Sequence, residues 1–395
     1  MSLMKEYIDK LNSGWGIIDL ENELQQLIIS YNKYRNSYLF IYTAAISKQI
    51  PMVSLVQDDF YIIHDLLKSV NSKNLDFYIE TPGGSGETAE EIARFLHKKF
   101  ENNSFIISGE AKSAGTILTL SADEIYMTDT ASLGPIDAQM KIGRSVISAH
   151  DYIFWINEKK DEAEKNGRLN PFDATMIAQI TPGELNSVYN ALKFAEDLVI
   201  EWIPKHKFKN WNFTETRKIK VTDKMKTKRA QEIANELTNH TKWRSHGRSL
   251  KISDLENIGL KINRIENDRD LCDIVYRIQT ICRLIFESST TYKIFYTENN
   301  KIFKQAIPSI AQPMIIPQQQ GKIDAIQIDQ KCPRCGKIYK LYAKFINDPK
   351  IDDDFSKKGF TLFPQNNKIN CDCGFNIDLQ GVKNDIESKV NKKII

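Results

Sequence analysis

The sequence predicts an α/β fold, and three observations predict it. Short apolar runs of strand character alternate with amphipathic helical runs from Tyr38 to Gln139. Two of those strands run directly into helix starts, one through Thr81-Pro82-Gly83-Gly84 and the other through Ala111-Lys112-Ser113-Ala114-Gly115-Thr116. A cysteine-bearing tail follows a stretch rich in Pro, Gln and Ile, so a small C-terminal domain is expected beyond the main one.

Each element follows in order. An N-terminal segment, 1–35, contains an amphipathic helix from about Leu20 to Tyr34. Tyr38 to Tyr42 is the first core strand. Asp58 to Val70 is a helix with Phe60, Ile63, Leu66 and Leu67 on one side. The strand before Pro82 and the strand Phe105–Ser108 are separated by a helix, and a further helix opens near Ser113. Ala149 to Lys165 reads as a helix stopped by Gly167. From Thr181 to Ile203, Leu185, Val188, Leu192, Ala195 and Val199 recur at helical spacing. Ala230–Thr238 is helical, Ile252–Leu260 is a short helix closing at Gly259, and Ile262–Ile265 is a late strand. The domain boundaries expected are 1–35, 36–300, a linker 301–326 and a tail 327–395.

Composition narrows the class. Of 395 residues, 41% are hydrophobic and 27% charged, a globular profile with material for a sizeable core. The formal net charge of +3 gives no argument for nucleic-acid binding. The basic run Lys218–Arg229 reads as a solvated helix or loop. No apolar run is long enough for a bilayer span, and Met1–Lys5 lacks the apolar region of a secretory signal, so a cytoplasmic protein is expected.

The two strand-to-helix turns carry the chemistry. Gly83 and Gly84 lack Cβ atoms, so a carbonyl group can approach their backbone closely. Ser113 at a helix start lies among free N–H groups and the positive end of a helix dipole. A nucleophile at Ser113 with an oxyanion hole made by the N–H groups of Gly84 and Ala114 suits acyl transfer. The competing reading is an ordinary Pro-Gly-Gly turn and a serine that merely caps its helix.

At these residues the chain resembles the ClpP/crotonase superfamily, and within it the SppA-like and SDH-type (serine dehydrogenase proteinase) branch. The matching pieces are Thr81-Pro82-Gly83-Gly84, Ser113-Ala114-Gly115-Thr116, Ala122-Asp123-Glu124-Ile125 and Leu133-Gly134-Pro135-Ile136-Asp137, with the likeness continuing through Lys242–Arg248 over roughly residues 20–300. The resemblance implies a ClpP/crotonase-like spiral β-α fold, a serine peptidase acting on peptides or proteins, and a homo-oligomer. ClpP's own catalytic histidine falls near Asp137 of this chain, so its triad does not carry over. The SppA-like branch implies instead a Ser-Lys dyad with the lysine on a later helix. No Gly-x-Gly-x-x-Gly fingerprint accompanies the "dehydrogenase" of the branch name.

In the helix after the Gly-Pro loop, Ala149, Tyr152, Ile153, Ile156, Lys160 and Ala163 share one face. Burial there would lower the pKa of Lys160 and make it a general base. Lys159, stacked over Trp155, is the second choice, and His246 in Trp243–Arg248 is the rival from outside the helix. Asp137 is expected to order its loop through local backbone hydrogen bonds.

Of six cysteines, Cys332 and Cys335 form Cys-Pro-Arg-Cys-Gly, and Cys371 and Cys373 form Cys-Asp-Cys-Gly. Two cysteine pairs, each followed by glycine, can surround tetrahedral zinc, giving a small C-terminal zinc ribbon whose metal is structural. Between the pairs, strands and an exposed loop carrying Asp352-Asp353-Asp354 are expected, and the ribbon offers a docking surface for a protein partner. Cys272 and Cys282 belong to the core. Three functions compete: a serine endopeptidase using Ser113 and Lys160, a crotonase-type acyl-CoA enzyme, and a non-catalytic scaffold.

Overall fold

The computed structural model describes residues 2–48, 50–142, 145–306, 324–390 and 392–395. The chain begins with α1 (Leu3–Asn12), capped by the Ser2 hydroxyl, and α2 (Ile17–Arg35). Then come β1 (Tyr38–Ala44), α3 (Gln57–Leu67), β2 (Asn74–Glu80), α4 (Gly86–Lys99) and β3 (Asn102–Ile107). A denser stretch holds β4 (Glu110–Ala111), α5 (Ala114–Thr119), β5 (Glu124–Met127), β6 (Ser132–Leu133) and the hairpin β7 (Gln139–Ile142) and β8 (Ser145–Ser148). Helices dominate next: α6 (Ala149–Asn166), α7 (Pro171–Ile177), α8 (Pro182–Lys205), α9 (Asp223–Leu237), α10 (His240–Trp243) and α11 (Ile252–Asn257). The strand β9 (Asn263–Arg264), α12 (Arg269–Ser288), β10 (Thr291–Tyr296) and β11 (Lys301–Gln305) complete this part.

The chain is a mixed α/β protein that divides into two compact units. The larger comprises residues 23–282 and 293–303. Its frame is a sheet of order β11-β10-β1-β2-β3-β5-β9, parallel from β1 to β9, with β10 antiparallel to β1. Strands buried on both faces need continuous apolar sequence, and every residue of Tyr38–Ala44 is buried. Phe40, Phe77 and Phe105 sit in register on adjacent strands, 5.0 Å apart ring to ring, and anchor a core that α3, α4, α5 and α8 cover.

Past their carboxyl ends the strands start again as a short second ladder. Thr81 bridges Ala111, β4 pairs with β6, and Leu133 bridges Leu250. The break between ladders brings the Gly83–Gly84 turn and Ser113 together.

The smaller unit comprises residues 1–22, 283–292 and 304–395. Beyond residues 307–323, which lie outside the described residues, it contains β12 (Ala325–Lys331), β13 (Ile338–Lys344), α13 (Pro349–Lys357), β14 (Thr361–Leu362), β15 (Lys368–Asn370), β16 (Asn376–Asp378) and α14 (Gln380–Val390). Three expectations need correction. The linker assigned to 301–326 contains β11 at one end and the start of β12 at the other. Asp352-Asp353-Asp354 lies in α13, not in a loop: Asp348 caps it and Pro349 occupies its first turn, while Asp352 accepts hydrogen bonds from Tyr342 (2.7 Å) and Lys344 (2.6 Å). Cys282 is buried as expected, but Cys272 is half-exposed.

Candidate functional site

Backbone register places Ser113. Thr81 donates from its N–H to Glu110 O (2.8 Å) and accepts from Lys112 N–H (3.0 Å). This brings Gly83 against the serine so closely that a Cβ on Gly83 would lie 2.7 Å from Ser113 Cβ. Gly83 also has φ +100°, so the turn is closed to side chains twice over. On its other side the turn bridges Leu55, whose N–H donates to Gly83 O (2.7 Å) and whose carbonyl accepts from Ser85 N–H (2.9 Å). A parallel bridge of this kind turns the N–H of Gly84 away from Leu55.

Ser113 itself has φ +50° and ψ −118°, a conformation that L residues adopt at a cost. It opens α5, yet its hydroxyl does not cap the helix, so the ordinary N-cap role is not the one it plays. The start of α5 is fixed from behind. Gly115 leaves room for Thr81, and Thr116 Oγ1 donates to Ala111 O (2.8 Å) and accepts from Gly134 N–H (2.9 Å). Ala114 N–H therefore sits at the helix N-terminus beside the serine, and Gly84 shares the lining of the same cleft.

These groups line a cleft of about 740 Å³, walled by the first turns of α4 and α5, the loop Ile136–Gln139 and a face of α8 that includes Phe194. Asp137, only 3% exposed, lies in that lining. Ser148 Oγ donates to its Oδ1 (3.0 Å), and His246 Nδ1 is 3.8 Å from its Oδ2, with His246 25% exposed. Asp137 thus joins its loop to the end of β8 through Ser148 and lies close to His246, in the segment after α10. His150, half-buried, follows Ala149, whose N–H donates to the cleft residue Ala138 (2.8 Å). Sequence reading missed this Asp137–Ser148–His246 grouping, because its members come from three separate segments. One local signal existed: Ser148 followed by Asp151 marks the start of α6, and Ser148 does cap it.

The lysines are placed differently from expectation. Lys160 is 69% exposed, 3.9 Å from Glu164, and is not part of the cleft lining, so the burial that would have made it a base is absent. Lys159 turns toward Glu162 (2.9 Å) and Asp173 (3.0 Å), whose hydrogen bonds raise its pKa. Lys112, next to the serine, has its pKa lowered by burial, but its Nζ points to Leu133 O, Ser132 Oγ and Ser249 Oγ and serves the second ladder.

One buried ion pair stands behind the glycine turn. Lys293 and Asp59, both fully buried, meet at 2.5 Å, and Lys293 Nζ also donates to Ser54 O (2.7 Å). Ser54 precedes Leu55, so this pair fixes the strap against which Gly83 and Gly84 are held.

In the smaller unit Cys332, Cys335, Cys371 and Cys373 form a cluster whose sulfurs all lie within 4.8 Å of one another. Cys332 and Cys373 are 3.7 Å apart and Cys335 and Cys371 3.4 Å, near the roughly 3.8 Å edge of a tetrahedron built on Zn–S bonds of about 2.3 Å. Gly336 and Gly374, at φ +76° and +79°, close the two knuckles. These four thiols can hold a metal ion.

No helix among the described residues is long and apolar enough to cross a membrane. The model of the NfeD1b N-terminal domain matches residues 65–190, which include Gly84, Ser113, Ala114 and Asp137. Two uncharacterized proteins of Methanocaldococcus jannaschii are similar. One is 27% identical over 212 residues, 53% of this chain and 58% of that protein; the other is 30% identical over 145 residues, 35% and 46%. The chain thus spans about half the length of the curated relatives it matches. Among solved structures, a mutant of the membrane-bound stomatin-specific protease 1510-N is similar over 36% of this chain and 72% of its own, at 21% identity and a TM-score of 0.22. A mutant ClpP from Listeria monocytogenes is similar over 61% of this chain and 98% of its own, at 12% identity and a TM-score of 0.31.

Proposed function

We propose that the larger unit is a serine peptidase of ClpP/crotonase-like fold, with Ser113 as nucleophile and the N–H groups of Gly84 and Ala114 as oxyanion hole. The observation that carries this reading is the strained Ser113, held against a glycine turn at the edge of a cleft and not used as a helix cap. Strain kept at one exposed-edge serine is what an activated nucleophile requires. In this reading Ser113 Oγ attacks the scissile carbonyl carbon and the oxygen takes the electron pair. Two backbone donors then stabilise that charge without reorganising. The amine leaves with a proton, and water releases the acyl group by the same route in reverse.

For the base our first choice is His246, whose Nδ1 lies 3.8 Å from Asp137 of the cleft lining; it acts only if its imidazole comes within hydrogen-bond reach of Ser113. The Ser113–Lys160 dyad is the second reading; it needs a rearrangement of α6 that buries Lys160. The crotonase reading leaves the serine's strain without a purpose. Zinc is our assignment for the four-cysteine cluster, bound by thiolates with no open position and so structural. Assembly into a homo-oligomer is part of this reading and rests on the resemblance to the ClpP/crotonase superfamily.

The test is Ser113→Ala in the full-length protein, assayed on several unfolded protein substrates. Hydrolysis and fluorophosphonate labelling should both vanish with the thermal midpoint kept. Turnover unchanged in the variant would end the assignment.

A further inference from the structure

The two backbone donors assigned to the oxyanion hole are not held alike. Ala114 N–H belongs to the first turn of α5, and the helix itself fixes it. Gly84 N–H belongs to a turn of two glycines, at φ +100° and +152°. Without Cβ atoms, local sterics leave the peptide between them free to invert. A contact from outside the turn has to set its orientation.

Leu55 supplies that contact. Its N–H donates to Gly83 O (2.7 Å) and its carbonyl accepts from Ser85 N–H (2.9 Å), so one residue grips the peptide groups on both sides of Gly84. A trans peptide points its C=O and N–H in opposite directions. With Gly83 O committed to Leu55, the Gly84 N–H in the same plane faces the other way. A Cβ on Gly84 would collide with the Leu55 backbone, so strap and turn are in direct backbone contact.

Leu55 is gripped in turn. Lys293 Nζ donates to Ser54 O (2.7 Å) and to Asp59 Oδ2 (2.5 Å). Asp59 Oδ2 also accepts from Val56 N–H (3.0 Å) and from Tyr42 Oη–H (3.2 Å). The ion pair therefore holds the residue before Leu55 and the residue after it. Lys293 lies on β10 and Tyr42 on β1, which are neighbours in the main sheet, so the strap is anchored to the sheet. Packing does not call for these charges. Ile294, Phe295 and Tyr296, which follow Lys293, are all buried, and an apolar side chain would suit position 293 equally. A buried ion pair commonly gains no stability over apolar residues of similar volume. What this pair adds is direction: two hydrogen bonds to the backbone of Ser54 and Val56 that apolar groups could not make.

We propose that Asp59 and Lys293 are positioning residues for the oxyanion hole, acting through Ser54–Val56 to keep the Gly84 N–H turned away from Leu55. The proposal rests on the peptidase reading of Ser113. It adds that one of the two donors is set by side chains outside the cleft lining.

The experiment is steady-state hydrolysis of fluorescently labelled casein by full-length variants. Leu55→Pro deletes the strap N–H, and Ser54, at φ −65° and ψ 146°, already has the backbone that a following proline requires. Leu55→Val keeps the N–H and is the conservative rescue. Asp59→Asn with Lys293→Met removes both charges together, so no unpaired charge stays buried. Leu55→Pro should lower kcat by about 10²-fold, the usual loss of one oxyanion donor, and the double variant by at least about tenfold, each with KM within about twofold. Leu55→Val should keep most of the wild-type kcat. Ile278→Ala, at a fully buried position of α12, reports instability alone: its thermal midpoint should fall with kcat kept. Where Leu55→Pro does not fold, the double variant carries the test. Wild-type kcat in the folded double variant overturns the proposal and leaves the peptidase reading standing. So does a loss in Leu55→Val equal to that in Leu55→Pro. Absence of hydrolysis by wild type overturns the peptidase reading and this proposal with it.

Discussion

Ser113 and Gly84, both in the cleft lining, come from two separate strand-to-helix turns. Ser113 and Gly84 announce themselves because glycine and a helix-start serine are local features, set by φ and by free N–H groups. Lys160 was read from periodicity, which reports a face but not how far along the helix that face stays covered. Ala149 and Tyr152 are buried against Val188, whereas the same face opens to solvent by Lys160. The resulting prediction separates the two bases. His246→Ala should lower kcat by about 10²-fold or more, the usual contribution of a general base. Lys160→Ala should leave kcat within about twofold and stability within about 0.5 kcal/mol, as for an exposed surface position. Stopped hydrolysis in Lys160→Ala with normal turnover in His246→Ala would restore the dyad; His150→Ala, run alongside, tests the other imidazole near the cleft.

At the scale of elements, helices α4 and α8 wall the cleft at their N-terminal and middle turns and are tied together near their C-terminal ends. His97 of α4 and His206, which ends α8, stack with ring centroids 3.5 Å apart, and His97 Nε2 lies 2.8 Å from Ser121 O. Burial pushes the His97 pKa down to about 4. Burial raises that of neighbouring Asp123, but hydrogen bonds from His206, Lys209 and the Asn103 N–H outweigh it and hold it at about 2. Unfolding frees His97 to titrate near 6.5, so the unfolded chain binds more protons between about pH 6.5 and 4. Stability is full above that window and falls as pH drops through it. Asp123 adds a second loss, from about pH 3.8 down to 2. Urea midpoints measured from pH 7 to 4 should decline in wild type and decline less in His97→Phe; parallel declines would show that the stacked pair is not the acid-labile element. The strands of the main sheet were legible because burial on both faces demands unbroken apolar runs. The α13 helix was not, because three consecutive aspartates outweighed a start signal, Asp348-Pro349, that was in plain view.

The whole molecule shows a division that a linear reading does not supply. The cysteine cluster belongs to a compact unit that also takes in residues 1–22 and 283–292. Within it, Arg334, between the two cysteines of the first knuckle, donates to the buried Glu21 (3.1 Å) and to Cys373 O (3.4 Å). No periodicity links residue 21 to residue 334, so only the folded chain reveals the contact. Metal removal should therefore be felt at the N-terminus. Full-length protein should contain one zinc per chain, and chelation should lower its thermal midpoint and expose the 1–22 segment to proteolysis while leaving Ser113-dependent hydrolysis in place. Absence of stoichiometric metal would remove the zinc assignment, and loss of hydrolysis with both units intact would show that the metal does more than hold structure.

The left-handed backbone at Ser113 has a consequence for how this fold could change over time. A residue kept at φ +50° is a standing weakness, costing roughly 1–2 kcal/mol that glycine would not. Ser113→Gly should then melt above both wild type and Ser113→Ala, whose methyl group keeps the penalty; equal midpoints for the two variants would mean that the turn is relaxed. If the order holds, selection for heat resistance alone would replace this serine, and its persistence at a strained position would have to be maintained by what the hydroxyl does.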